Sequence, residues 1–190
     1  MTPFHRLILD TQRLQLRPLQ EEDASALLAI FSNPQVMRYW SSAPWSNLEQ
    51  ARELIASDRR KLPLGLHLRL GIILPEANRL IGTCSLFNLS RQNRRAEIGY
   101  ALTPSVWGRG YMQEALTTLL SYAFDNLDLN RLEADIDPRN LASEKSLLRL
   151  GFLKEGLLRE RWIVSGEVSD SSLFGLLRQD WLASKNPSIG

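Results

Sequence analysis

The chain has 190 residues, of which 44% are hydrophobic and 23% charged, the composition of one soluble globular domain and not of a disordered or fibrous chain. Its 23 Lys and Arg against 21 Asp and Glu leave a net charge of +2, and the basic residues are dispersed among acidic ones, so no nucleic-acid partner is expected. A lone cysteine (Cys84) rules out an internal disulfide, His5 and His67 stand too far apart in sequence to suggest a metal site, and no apolar run reaches the roughly 18 residues of a membrane span.

Residues 1–9 lack the apolar stretch of a signal peptide, which points to the cytoplasm and to no membrane partner. Leu7 to Leu19 alternates apolar and polar residues, as Leu14 and Leu16 do against Gln15 and Arg17, and reads as a first strand ended by Pro18. Glu21, Glu22 and Asp23 load a helix start with negative charge, and Ala24, Leu27, Leu28 and Phe31 recur at helical spacing until Asn33-Pro34. A second helix opens at Ser46-Asn47-Leu48-Glu49, where Ser46 and Glu49 form a capping-box pattern. Tyr39, Trp40 and Trp45 lie between the two helices, as a lid over a pocket or as a plug for the core. Leu66 to Leu74 and Leu80 to Leu89 read as a hairpin turned by Pro75-Glu76-Ala77-Asn78, and Ala96 to Leu102 as the next strand.

A glycine loop, Trp107-Gly108-Arg109-Gly110-Tyr111-Met112, then leads into a helix over Gln113 to Leu127 with Ala115, Leu116, Leu119, Leu120, Ala123 and Leu127 on one stripe. Arg131 to Ile136 reads as a strand, Leu141 to Leu150 as a helix capped by Gly151, and Phe152 to Val164 with Ser171 to Leu177 as a last hairpin. The elements make a mixed α/β or α+β domain over residues 1–183, with 184–190 as a flexible tail. Glycines at the mouth of a helix let the backbone approach an anion, and the free amides of the first turn carry about half a positive charge. The loop lacks the Lys-Ser/Thr of a nucleotide-triphosphate loop, and Gln113 stands where a dinucleotide fingerprint needs its third glycine. Taken alone, it is equally an ordinary tight turn.

A second cluster follows at Asp137-Pro138-Arg139-Asn140-Leu141-Ala142-Ser143, then Leu147, Gly151 and Phe152. With Thr11-Gln12-Arg13-Leu14, Leu16-Arg17-Pro18, Leu80-Ile81-Gly82, Ala96-Glu97-Ile98-Gly99-Tyr100 and Glu114-Ala115, the chain resembles the GNAT superfamily of N-acetyltransferases. Within it, the resemblance is to the RimJ/RimL-like branch named for ribosomal-protein N-terminal acetyltransferases. That resemblance implies one domain with a mostly antiparallel central sheet, splayed to admit acetyl-CoA and flanked by about four helices. It implies that the loop amides of Trp107, Gly108, Arg109, Gly110, Tyr111 and Met112 hold the diphosphate and that the backbone of Tyr100, Ala101 and Leu102 pairs with the pantetheine arm. The commonest superfamily loop begins with Gln or Arg and ends with Gly or Ala, where this one has Trp107 and Met112.

The acceptor amine must be neutral to attack a thioester: an α-amine is about one-tenth neutral at pH 7, a lysine only to a few parts in ten thousand. Glu97 is the first candidate base, or else an outward-facing strand carboxylate. Glu160, between Arg159 and Arg161, is the second, or a surface ion-pair partner. The resemblance implies an oxyanion donor in a backbone amide near Leu102. Where many relatives place a proton-donating tyrosine, four residues before Gly151, this chain has Leu147, so Ser143 or water must protonate the leaving thiolate. Asn140 either orients the pantetheine or an ordered water, or is only a helix cap, and Ser143 could likewise be only a first-turn residue. Cys84 reads as a core residue. The expected activity is direct acetyl transfer to a primary amine, with a protein or peptide N-terminal α-amine as first choice. The alternatives are a small amine such as an amino acid, polyamine or aminoglycoside, and a non-catalytic acetyl-CoA sensor. A monomer and a homodimer are both compatible with this reading.

Overall fold

The computed structural model describes residues 4–185. The expected first strand is in fact two short ones, β1 (Leu9–Asp10) and β2 (Gln15–Arg17). The Thr11 hydroxyl bonds both the carbonyl and the amide of Leu14, so a tight turn in the polar run Asp10-Thr11-Gln12-Arg13 separates the two. The acidic triplet Glu21–Asp23 forms a 3-10 turn ahead of α1 (Ala24–Phe31). Asp23 is buried there against Arg17 at 2.7 Å, so its charge serves a tertiary ion pair. Asn33 and Pro34 end α1 and begin a four-residue helix, α2 (Pro34–Met37), with the Asn33 side chain as cap.

Helix α3 (Leu48–Lys61) starts one residue later than expected: the capping box is Asn47 with Gln50, not Ser46 with Glu49. The hairpin of β3 (Leu68–Leu74) and β4 (Arg79–Ser90) turns at Pro75–Asn78, with Asn78 left-handed at φ 42°, and β5 (Arg95–Leu102) follows. Then come α4 (Tyr111–Asp125), β6 (Arg131–Ile136) and α5 (Leu141–Arg149). The chain closes with β7 (Leu153–Val164), β8 (Glu167–Leu177) and α6 (Arg178–Lys185). Ser165 and Gly166, both with positive φ, make the two-residue turn between β7 and β8. Six α-helices thus stand where about four were expected, α2 and α6 being the additions. Helix α6 takes in Ser184 and Lys185 of the expected tail, and the rest of that segment lies outside the described residues.

The strands form one eight-stranded sheet in the order β1-β2-β3-β4-β5-β6-β8-β7. Every neighbouring pair is antiparallel except β5 and β6. One face packs Leu70, Cys84, Leu86, Leu116, Phe124 and Leu147 beneath α4 and α5. The other packs Leu27, Ile30, Phe31, Ala51, Ile55 and Ala101 beneath α1 and α3. Alternation along β3 sends Ile72 into the first core and its neighbour Ile73 into the second. Gly82 matters where β4 meets β5: a Cβ there would overlap the Ala101 carbonyl oxygen, so only glycine lets the two strands approach. No helix among the described residues is long and apolar enough to cross a membrane.

Candidate active site

Strands β5 and β6 pair only where Arg95, Ala96 and Glu97 face Arg131, Leu132 and Glu133. Beyond Glu97 the two diverge, so the backbone of residues 98–102 has no strand partner on that side. Into this opening comes the start of α5. The Asn140 amide donates to the Asp137 carbonyl at 2.9 Å, and the Asn140 Oδ1 accepts from the Ser143 amide at 3.1 Å. Asn140 is therefore the cap of α5. The Ser143 hydroxyl has no hydrogen-bond partner among the described residues.

A cavity of about 750 Å³ opens at the splay and brings together Glu97, Tyr100, Asn140 and Ser143. Glu97 faces this cavity and accepts from Asn88 Nδ2 at 2.9 Å. Tyr100 reaches across to the Ser143 carbonyl at 3.5 Å, and burial pushes its phenol up to about 12, which keeps it a hydrogen donor at neutral pH. Leu147 is fully buried and aliphatic, with no proton to give. Glu160 is not brought into the site: it is exposed on a bulge of β7 at φ 52°, its amide bonded to Asp170. Its neighbour Arg161 pairs instead with Asp135 at 2.9 Å.

The glycine loop lies apart from the cavity, past the end of β5. Gly108 and Gly110 take φ of 74° and 78°, a left-handed backbone that a side chain would strain. Gly110 caps α4 without a side-chain hydrogen bond, so the amides of Tyr111, Met112 and Gln113 have no intrahelical acceptor and point out of the helix start. The Trp107 indole donates to the Leu102 carbonyl at 2.7 Å. The residue that departs from the commonest superfamily loop thus ties the loop to the strand it follows. Ala101 and Leu102 bury their side chains in opposite cores and can offer a ligand only backbone. Arg109 is exposed, and its guanidinium has no partner among the described residues.

The aromatics Tyr39, Trp40 and Trp45, expected as a lid over a pocket or a plug for the core, lie at the cavity, beside His67 and Arg69, which carried no such signal in the sequence. Trp40 and Trp45 pack on Phe31 at 5.3 and 4.7 Å between ring centroids and, with Tyr39, wall the cavity. They are core plug and pocket wall together. His67 and Arg69 line the floor. Burial pushes His67 down to about 4, helped by the charges of Arg69 and Lys61. It is neutral at pH 7, so its 3.6 Å approach to Asp58 is not an ion pair, and its buried Nε2 has no hydrogen-bond partner. Arg69 instead donates to both oxygens of Asp58 at 3.0 Å. Arg139 holds Asp137 and Glu167 at 2.6 Å each. Hydrogen bonds from Arg139 hold the Asp137 carboxyl below its usual value despite partial burial.

The site thus joins an opened mixed sheet to a glycine loop at a helix start. A profile of the acetyltransferase (GNAT) domain matches residues 13–153. The chain belongs to the GNAT family and is an N-acetyltransferase. It is 39% identical over 173 residues to an uncharacterized N-acetyltransferase, p20, of Bacillus licheniformis, covering 91% of this chain and 97% of the relative. It is 29% identical over 180 residues to the ribosomal protein uS5-alanine N-acetyltransferase of Escherichia coli, covering 91% and 92%. A solved spermidine N-acetyltransferase from Vibrio cholerae, in complex with CoA and spermine, superposes with a TM-score of 0.80 at 23% identity, covering 90% and 98%. At that identity the likeness is one of fold.

Proposed function

We propose that the enzyme moves the acetyl group of acetyl-CoA directly to a primary amine, and that this amine is the N-terminal α-amine of a protein or peptide. The observation that carries the choice of acceptor is the state of the cavity's carboxylates. Asp135, Asp137 and Glu167 each sit in an ion pair with Arg161 or Arg139, whereas Glu97 accepts from the neutral Asn88 amide and makes no salt bridge with Arg139 or Arg161. One unmatched carboxylate suits one amine, whereas a polyamine needs acidic groups spaced for its further ammonium centres. The activity of the uS5-alanine relative on a ribosomal protein supports the same choice.

In this reading the loop Trp107–Met112, with Arg109, holds the diphosphate, and the open edge at Tyr100–Leu102 pairs with the pantetheine. Glu97, directly or through a water, takes the proton from the amine as nitrogen bonds to the acetyl carbon. A backbone amide near Leu102 donates to the oxyanion. As the carbon–sulfur bond breaks, Ser143 passes a proton to the thiolate and regains one from solvent, while Asn140 Nδ2 orients the arm. Location in the cytoplasm belongs to this proposal too, with the buried Cys84 thiol, pushed up to about 12, as a core group.

The test is acetyl-CoA-dependent thiol release against N-terminal peptides, free amino acids, spermidine and aminoglycosides, beside a calorimetric titration with acetyl-CoA. Fastest release with peptides is the expected result. Faster release with spermidine or an aminoglycoside would overturn the acceptor. Micromolar binding with no release from any amine would point to a sensor.

A further inference from the structure

The turn at residues 11–14 reaches across to the glycine loop and the first turn of α4, nearly a hundred residues further along the chain. Glu114 projects there, a carboxylate beside the site where a diphosphate would lie. Its Oε1 accepts from the Thr11 hydroxyl at 2.6 Å and from the Arg13 amide at 2.7 Å. Its Oε2 accepts from Arg13 Nε at 2.7 Å and lies 2.7 Å from Nη2. Burial pushes the Glu114 carboxyl up, but these bonds outweigh it and hold the group below its ordinary value. It is therefore ionised wherever the enzyme works.

The same guanidinium serves the loop. Arg13 Nη1 donates to the Arg109 carbonyl at 3.0 Å. The Arg13 guanidinium carbon lies 4.6 Å from the centre of the Tyr111 ring, and Nη2 would stand 3.5 Å from a Cβ on Gly110. One side chain thus touches three consecutive residues of the loop and helix start while pairing with the carboxylate behind them. A bare carboxylate at this place would repel an anionic ligand and compete for the helix-start amides that should bind it.

We infer that Arg13 is a positioning residue of the cofactor site, fixing the Arg109–Tyr111 backbone and cancelling the Glu114 charge so that the loop can accept a diphosphate. This rests on the reading that the loop takes the diphosphate of acetyl-CoA. Calorimetric titration of the full chain with acetyl-CoA and with acetyl-pantetheine, which has no diphosphate, tests it in the wild type, Arg13→Gln, and Arg13→Gln with Glu114→Gln. Thermal melts run in parallel show that each variant is folded. Arg13→Gln is expected to weaken acetyl-CoA about tenfold and to leave acetyl-pantetheine unchanged. The double variant, with no charge left to cancel, is expected to recover most of the loss. Equal weakening of both thioesters in a folded Arg13→Gln protein, or no change for either, would overturn the inference. A wild type that binds the two thioesters equally well would instead remove the diphosphate reading of the loop, and the inference with it.

Discussion

The two ends of the site are built from different materials. At the end proposed for the cofactor the groups are main chain: left-handed Gly108 and Gly110, the amides at the start of α4, and the edge of β5 beyond Glu97 that β6 leaves open. At the end proposed for the acceptor they are side chains from distant elements: Trp40 and Trp45 on Phe31, Arg139 between Asp137 and Glu167, and Arg161 on Asp135. Backbone geometry follows from a few adjacent residues and changes only if a glycine or the strand is lost. A side-chain lining can be exchanged residue by residue without touching the fold. The contrast accounts for a chemistry held constant beside an acceptor free to vary.

The largest effect is expected where the two ends meet. Glu97→Gln removes the cavity carboxylate that is not held by Arg139 or Arg161, and kcat/KM should fall about 10²- to 10⁴-fold with acetyl-CoA affinity unchanged. A loss of less than tenfold at every pH would leave water as the base. Next is His67. Its folded pKa of about 4 lies below the unfolded value of 6.5, so between those limits the unfolded chain binds the extra proton. Stability should therefore be fully present above pH 6.5 and fall as the pH drops toward 4, by up to about 3 kcal/mol. His67→Leu should flatten this slope in denaturant melts at pH 7, 5.5 and 4.5, and an unchanged slope would show that the histidine is protonated in place.

The same division explains what could be read from the sequence. The α4 stripe is local: Ala115, Leu116, Leu119, Leu120 and Ala123 are all buried, and only Leu127, the last of the expected stripe, falls past the end of the helix at Asp125. The glycine loop and the Asn140-to-Ser143 cap are local as well. The α3 cap was missed by one residue because Ser46-Glu49 and Asn47-Gln50 both satisfy the pattern, and the sequence alone does not choose between them. Helix α6 buries only Trp181 and shows too little periodicity to be seen. The break between β1 and β2 falls at the polar run Asp10-Thr11-Gln12-Arg13, which the alternation of Leu14 to Arg17 does not include, and a Thr11 side chain makes the turn there. The ion pairs of Arg139, Arg161 and Arg13 join residues 2 to 101 positions apart, and no spacing rule links their members.

Three substitutions probe the proposed cofactor end at intermediate size. Gly110→Val forces a branched side chain into φ 78°, at a cost of about 1–3 kcal/mol. Acetyl-CoA affinity should fall by roughly ten- to a hundredfold while the acceptor KM stays constant. An unaltered affinity would mean that the loop amides do not hold the ligand. Ser143→Ala and Tyr100→Phe each remove one hydroxyl from the wall facing the expected thiolate. If Ser143 supplies the proton, Ser143→Ala should lower kcat about tenfold and Tyr100→Phe much less. The reverse ranking would assign the proton to the phenol, whose burial already keeps it protonated.

The smallest expected effect is a gain at the acceptor end. Arg139 is exposed, packs 5.8 Å from the Tyr39 ring and ties Asp137 to Glu167. Arg139→Gln removes one positive charge and releases two carboxylates at the cavity wall without changing any backbone group of the cofactor end. Acetyl-CoA affinity should hold, while turnover of spermidine should rise about two- to fivefold relative to a neutral peptide, since exposed charges are screened and each contributes little. The gain should shrink as salt is raised. A rise for the peptide as large as that for spermidine would mean that the arginine limits access and does not mask charge, and the acceptor preference would then have to lie in the aromatic wall of Tyr39, Trp40 and Trp45.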